Sequence, residues 1–476
     1  MLKMLTVFVG ATILLAVLNR WSVRGKGVSR CWGDGAAVVV TGVGYLLLLA
    51  VTGRFLTASL IGIGLILLLA AGNHLKQVLL GEPLVFSDVF LAGHALRFPR
   101  LYFGYVPLWV WLVLIAVVGI VGGLAAQEAP ISGNGRWLCA ALLTVALLLV
   151  TALGFALWQR REALLSKYGL TFKVNRDAER YTPLGAAVLQ TLWHLAYGEK
   201  VAEDVAYFEE KTHQPSSNAG HFVLIQAESY CDLRSQLGRV SVTPVLDALA
   251  REGASGPLEL DWRGAYTMRT EFSVLTGCST TSVKSWAPDP YRLAERVPMD
   301  SLARDFKAAG YDTVVWHPND GRFFNRNAVM PHFGFDRFVS GDAFADLPKS
   351  GSGASDEALL AKAADFLATC RKPTFLFIVT MEAHGPWGGR TEAEELSCYE
   401  RHLMSLDRGV NLLAERLRRM PGAHLALYGD HLPGLKALRT PQTTSTRWVM
   451  WPTVKAASGP RRAAQLRKLI QREGLE

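Results

Sequence analysis

The first third of the chain is dominated by apolar runs close to the roughly 20 residues that a helix needs to cross a bilayer. Five are read, at about 2–18, 36–52, 55–72, 107–126 and 136–156. The remainder has the mixed polarity of a soluble domain, and 476 residues are too many for one ordinary core, so a membrane part followed by a globular part is the simplest organisation. The first run lacks a strongly basic start and a small-x-small cleavage site, and further spans follow it, which makes it an anchor rather than a secretory signal.

The residues from Asn73 to Pro107, with Gly81-Glu82-Pro83 and Asp88, read as an interfacial segment lying along the bilayer. From 157 to 219 the chain turns polar, a juxtamembrane linker with some helix that ends in the loose patch His213 to Gly220. A catalytic domain is expected over 220–476. The formal charge of +9 accompanies no zinc-finger or RNA-binding pattern and no basic stripe interleaved with aromatics, so no nucleic-acid partner is expected. Much of that charge flanks the apolar runs or lies in the tail at Arg461, Arg462, Arg467, Lys468 and Arg472, where anionic lipid headgroups are the natural partner. The six cysteines show neither paired CxxC spacing nor the density of a disulfide framework.

From His221 onward short apolar runs alternate with polar clusters and helix-like patterns, which reads as an α/β fold with a largely parallel sheet. Strands are expected at Phe222 to Ala227, Thr313 to Trp316, Thr374 to Thr380 and His424 to Tyr428. Helices are expected at Thr243-Pro244 to Gly253, Asp300 to Gly310, Asp356 to Cys370 and Cys398 to Met420. Glu228, His317, Glu382 with His384, and Asp430-His431 each follow one of the strands. Parallel sheets bind ligands at the carboxyl ends of their strands, so these distant residues converge on one edge. Carboxylates with imidazoles and no required thiolate suit a hard or borderline divalent ion, with manganese, magnesium and zinc all compatible. A strand-end acid also serves commonly as a helix cap, and an isolated histidine is more often structural than a ligand.

A nucleophile near that edge is offered by Thr267, expected to cap a helix running to about Thr276 and stopped by Gly277. A hydroxyl there meets free backbone N–H groups and the positive end of the helix dipole, which favour an alkoxide and a bound phosphate. Plain N-capping is the commoner role of such a threonine, and Thr270 and Ser273 are alternatives. The loop from His317 to Arg326 adds an imidazole, aromatics including Phe324, and the guanidiniums of Arg322 and Arg326, suited to bidentate phosphate contact. His332 and His402 have no neighbouring cluster and receive no role.

Laid out in order, Ala227-Glu228-Ser229, Thr267-x-x-x-Glu271-Phe272, Gly310-Tyr311 with His317, Phe324-Asn325-Arg326, Glu382-Ala383-His384 and Tyr428-Gly429-Asp430-His431 resemble the lipoteichoic acid synthase and phosphoglycerol transferase family. That family belongs to the alkaline phosphatase and sulfatase superfamily. The resemblance covers the five-span organisation and nearly all of 221–435. It implies one divalent ion, usually manganese, held by Glu228, Thr267, Asp430 and His431, with His317, Phe324, Arg326 and His384 at the substrate. It implies that Thr267 attacks phosphatidylglycerol, releases diacylglycerol and passes glycerol phosphate to a glycan hydroxyl. Phe324 stands where Gram-positive relatives have Trp, and Tyr266 where Lys is frequent. The resemblance also implies an inner-membrane protein with an extracytoplasmic catalytic domain, although Arg20, Arg24, Lys26 and Arg30, then Lys76, Arg97 and Arg100, would then lie outside, against the positive-inside rule. A phosphoethanolamine transferase, a phosphodiesterase, a sulfatase and a catalytically dead anchor are the competing readings. Cys278-Ser279-Thr280-Thr281-Ser282 does not supply the C/S-x-P-x-R maturation motif of a sulfatase.

Overall fold

The computed structural model describes residues 31–85, 108–206, 220–262, 264, 266–438, 443–453 and 457–475, with a few isolated positions before 18 and between 86 and 107. The chain forms two compact units, Met1–Glu199 and Lys200–Glu476.

Among the described residues of the first unit four helices are long and apolar enough to cross a membrane. They lie in α1 (Cys31–Thr52), α2 (Phe55–Leu80), α3 (Leu108–Gln127) and α4 (Gly133–Gln159). These match the second to fifth expected spans; the first falls largely outside the described residues. Helix α2 runs eight residues beyond its expected end, so Asn73 to Leu80 continues a helix instead of opening an interfacial segment. The reason is local: no breaker intervenes before Gly81, which closes the helix in the left-handed conformation at φ 68°. The rest of the expected interfacial segment lies mostly outside the described residues.

The expected linker is mainly helical up to residue 205, with α5 (Arg161–Tyr168) and α6 (Val174–Val205). Helix α6 breaks at Thr182 (φ 65°), immediately before Pro183, because proline lacks the N–H that continues the ladder. The Asp177 carboxylate accepts from the Thr171 and Phe172 backbone N–H groups at 2.9 and 3.0 Å, fastening the turn that precedes α6.

The second unit carries β1 (Phe222–Ala227), α7 (Pro244–Glu252), β2 (Ala254–Glu259), α8 (Thr267–Thr276), α9 (Leu302–Ala308), β3 (Asp312–His317), α10 (Arg326–His332), β4 (Arg337–Ser340), α11 (Asp356–Thr369), β5 (Thr374–Val379), α12 (Glu392–Leu417), β6 (His424–Gly429), β7 (Thr446–Trp451), β8 (Arg461–Arg462) and α13 (Gln465–Gly474). Eight strands form one sheet in the order β8-β2-β7-β6-β1-β5-β3-β4. From β6 through β1, β5 and β3 to β4 every pairing is parallel, and β7 alone runs against its neighbours. The four expected strands are present. Strands β2, β4, β7 and β8 were not anticipated.

Strands β1 and β5 are buried along their whole length, the mark of strands covered on both faces. On one face Val223, Ile225, Leu376, Ile378, Leu425 and Leu427 pack in a single cluster with residues of α7, α11 and α12. Helix α12 starts six residues earlier than expected, because Thr391 and Glu394 form a reciprocal capping box. Helix α7 keeps its expected limits, yet its cap comes from elsewhere: Asp407 of α12 accepts from the Val245 and Leu246 N–H groups at 3.0 and 2.9 Å.

The opposite face changes character along the strands. At their amino ends Phe222, Phe306 and Phe375 close the core, with Phe306 and Phe375 stacked at 4.3 Å between ring centres. At their carboxyl ends it is polar, with Gln226, Tyr428 and His317 beneath α8. Arg467 of α13 holds that helix in place. Its Nε donates to Asp305 at 2.9 Å, and its terminal nitrogens donate to Asp300 at 2.8 Å and to the last carbonyl of α8, Thr276, at 2.7 Å. Removing one member of a buried pair leaves the other uncompensated, which costs about 3–5 kcal/mol. Arg467→Ala is therefore expected to destabilise the second unit by about that amount, read as a lowered midpoint in thermal unfolding of the full chain; an unchanged midpoint would show that this pairing is not what fixes α8.

Candidate active site

Strands β1 and β6 are parallel neighbours in register, with Ala227 opposite Gly429. The residues that follow, Glu228 on one strand and Asp430 with His431 on the other, therefore leave the sheet side by side. Gly429 makes the approach possible: a Cβ there would lie 1.8 Å from the Tyr230 carbonyl oxygen, where the exit of β1 crosses the end of β6. Ser229, at φ 55°, forms the tight turn, and its N–H donates to Asp430 Oδ1 at 2.8 Å. Its hydroxyl donates to Glu228 Oε1 at 2.8 Å.

Glu228, Asp430 and His431 each direct one ligand atom into a common space, all within 4.8 Å of one another. His431 Nε2 lies 3.3 Å from Glu228 Oε1 and 3.4 Å from Asp430 Oδ2. Its Nδ1–H donates to the Leu432 carbonyl at 3.1 Å, which leaves Nε2 as the nitrogen available to a ligand. Asp430 Oδ1 also accepts the His431 N–H at 2.9 Å, while Oδ2 is buried with no hydrogen-bond partner among the described residues. An orphaned carboxylate oxygen facing a second carboxylate and an oriented imidazole is a donor set that fits a divalent cation. Burial opposes charge on all three groups. Even so, Asp430 and Glu228 raise the His431 imidazole to about 9, and its positive charge takes Glu228 down to about 2. Burial, with the charge of Glu228, pushes Asp430 up to about 7. The site thus draws positive charge to its centre.

Thr267 is the first residue of α8, and Tyr266 occupies the cap position. The expected capping role for Thr267 is thereby corrected: a residue already inside the helix does not cap it with its own side chain. Its hydroxyl remains on the first turn, where the dipole is positive. Thr270 lies three residues on, on the same side of the helix, and donates to the Asp430 carbonyl at 2.6 Å, so the start of α8 is pinned to the Asp430-His431 corner. Gly277 ends the helix as expected, at φ 71°.

Beneath α8 runs a buried polar chain. Arg326 donates to Glu271 Oε2 at 3.0 Å and to His317 Nε2 at 3.3 Å, and its Nε has no partner among the described residues. His317 Nδ1–H donates to the Val379 carbonyl at 3.3 Å. Burial, reinforced by the Arg326 charge, holds His317 well below its ordinary range, which matches a neutral ring accepting at Nε2. Gln226 and Tyr291 also donate to Glu271. Arg326 packs over the rings of Phe324 and Tyr291 at 5.4 and 5.9 Å. Glu271 and Tyr291 had no assigned role in the sequence reading, although an acid one turn after Thr267, inside a buried helix, was a usable signal for the first.

His384 is half-buried. Its Nδ1–H donates to the Gly385 carbonyl at 2.6 Å, and it interacts electrostatically with both Glu228 and His317, so it belongs to the same edge. Glu382 does not join the three ligand-bearing residues. It accepts from Ser350 and Ser405, both at 2.7 Å, from the Asp356 N–H at 2.6 Å and from His402 at 3.1 Å, a structural junction that accounts for His402 as well.

Residues 221–460 match the sulfatase family model. The chain belongs to the sulfatase family. Among curated relatives, the chain is 26% identical over 416 residues to the capsular polysaccharide biosynthesis protein RkpI of Rhizobium meliloti, covering 82% of this chain and 77% of that one. It is 31% identical over 232 residues to a protein of the same organism assigned provisionally to cyclic beta-1,2-glucan modification, covering 45% of this chain and 36% of that one. Among solved structures it is similar to the Streptococcus pyogenes phosphoglycerol transferase GacH in complex with sn-glycerol-1-phosphate, at 19% identity and TM-score 0.47 over 60% of this chain and 82% of that one.

Replacing Glu271 by Gln keeps the shape and removes the charge that balances Arg326. The variant is expected to lose about 3–5 kcal/mol of stability, measured as a shift in denaturant midpoint, and full stability in Glu271→Gln would show that the pair is not buried in the working protein.

Proposed function

We propose that this sulfatase-family protein is a membrane-anchored phosphotransferase. It moves glycerol phosphate from phosphatidylglycerol to a hydroxyl of a cell-envelope glycan through a covalent phosphothreonine at Thr267. The observation that carries the reading is the convergence of Glu228, Asp430 with its orphaned Oδ2, and His431 beside the first turn of α8. In this reading Glu228, Asp430, His431 and the Thr267 hydroxyl hold one divalent ion, manganese foremost. When bound, such an ion lowers the pKa of the threonine hydroxyl and offsets charge on the transferred phosphoryl group.

The Thr267 oxygen forms a bond to phosphorus as the bond to the diacylglycerol oxygen breaks, and that oxygen leaves as a hydroxyl. The acceptor hydroxyl then attacks the phosphothreonine, loses its proton, and returns Thr267 to its starting state. The Nε of Arg326 has no partner among the described residues, which supports a role for Arg326 in receiving a phosphate or headgroup oxygen, beside Phe324. His384 and His317 border the same space, His384 as the more exposed of the two.

Two features favour transfer of a phosphate-linked group over sulfate hydrolysis. The maturation motif of a sulfatase is missing around Cys278, and Cys278 follows the far end of α8, about 15 Å along the helix from Thr267. The capsular polysaccharide and glucan relatives support an envelope glycan as acceptor. The four apolar helices support an anchor in the inner membrane, with residues 157–219 leading to a periplasmic catalytic domain over 220–476.

Incubating the purified full chain with headgroup-labelled phosphatidylglycerol and Mn2+ is expected to label the protein, and Thr267→Ala to abolish the label. Labelling from phosphatidylethanolamine alone would move the donor to phosphoethanolamine, and undiminished labelling of Thr267→Ala would remove Thr267 as nucleophile. An alkaline phosphatase fused after Glu476 is expected to be active, whereas a cytoplasmic reporter active only at that position would reverse the topology.

A further inference from the structure

The first unit contains a cavity that has no part in the catalytic reading. It has a volume of about 680 Å3 and runs between α1 and α4, with walls that include Val38, Gly42, Leu138, Leu142 and Leu149. Tyr45 and Cys139 of its lining belong to a buried cluster with Leu49 and Ala58. The lining on α4 extends from Gly135 to Val150, about 22 Å at the rise of a helix. The groove is therefore long, narrow and apolar, within helices that are themselves long enough to span a bilayer. The surrounding medium is hydrocarbon, and an acyl chain is the occupant such a shape takes.

One end of the groove is polar. Phe55, Ile131 and Gly135 mark the end where the α1–α2 and α3–α4 connections meet. There Arg54 Nε donates to the Glu128 carbonyl at 2.9 Å, and the Glu128 carboxylate accepts from the Leu56 and Thr57 N–H groups at 2.6 and 2.8 Å. The positive charge of Arg54 also favours the ionised form of the Glu128 carboxylate. Arg136, next in sequence to the lining residue Gly135, packs its guanidinium against Gly53, where a Cβ would meet Nη2 at 2.6 Å, and the Gly53 carbonyl accepts from the N–H of the lining residue Ile131 at 2.7 Å. Arg136 is exposed and has no carboxylate partner among the described residues, so the mouth of the groove carries one uncompensated positive charge.

We propose that this groove binds one anionic glycerophospholipid, an acyl chain lying between α1 and α4 and the phosphate at Arg136. Long apolar walls that end at an unbalanced guanidinium complement that molecule better than a neutral lipid, which lacks the phosphate, or a zwitterionic one, whose ammonium offsets it. The site stands apart from the reaction proposed above and does not depend on it.

Native mass spectrometry of the full chain in mild detergent tests this, with phosphatidylglycerol and phosphatidylethanolamine added at equal concentrations. The expected result is one retained phosphatidylglycerol per chain, with about tenfold weaker retention in Arg136→Ala and recovery in Arg136→Lys. Leu142→Trp, which fills the groove, is expected to lose the lipid while the protein remains monodisperse. Labelling of Thr267 is expected to be unchanged in Arg136→Ala, which separates this site from the catalytic one. Equal retention of the two lipids, retention indifferent to Arg136, or a dimer that excludes lipid from the groove would each overturn the proposal.

Discussion

The second unit is organised by the parallel hydrogen bonding of β1 between β5 and β6. A parallel ladder aligns the carboxyl ends of its strands, so Glu228, Asp430 and His431 reach one place without any loop having to bring them there. The register then sets their spacing, since Ala227 opposite Gly429 leaves the next residues abreast. The helices serve that edge. Helix α8 is pinned at its first turn through Thr270 to the Asp430 carbonyl, and at its last carbonyl by Arg467. The polar chain through Glu271, Arg326 and His317 fills the space beneath it with groups bonded to one another, Arg326 Nε excepted.

What was legible in the sequence follows from this architecture. Central parallel strands are buried on both faces and read as unbroken apolar runs, which is why Phe222 to Ala227 and Thr374 to Thr380 stood out. The strands at and near the sheet's margins did not. Ala254–Glu259 contains Gly256 and Pro257, and Arg337–Ser340 is short and partly exposed, so neither carries a run that stands apart from a loop. Thr446–Trp451 was within reach, since it is apolar along most of its length and fully buried.

The candidate site divides in the same way. Strand-end acids and histidines were visible by position, but position alone did not separate Glu382, which is consumed by Ser350, Ser405, Asp356 and His402, from Glu228, whose neighbours are ligand-bearing groups. That distinction depends on which side chains face each other across layers, and no local pattern records it. The cap of α8 was misread for a smaller reason: a threonine at a helix start is as easily the first residue as the cap, and helix ends shift by one residue with the details of the turn. In the first unit, hydropathy located the described spans, while the extension of α2 to Leu80 depended on where a stop signal occurs rather than on where hydropathy falls.

Gly429 carries a consequence that extends beyond its own turn. Because the Tyr230 carbonyl occupies the place of its missing side chain, the distance between the ligand-bearing ends of β1 and β6 is governed by a residue that bears no functional group. A single added methyl group would wedge the two strand ends apart, disabling the site while leaving every chemical participant in the sequence. The reactive geometry is in this sense inherited from the backbone, and its most vulnerable position is one that an inventory of acids, histidines and threonines would pass over.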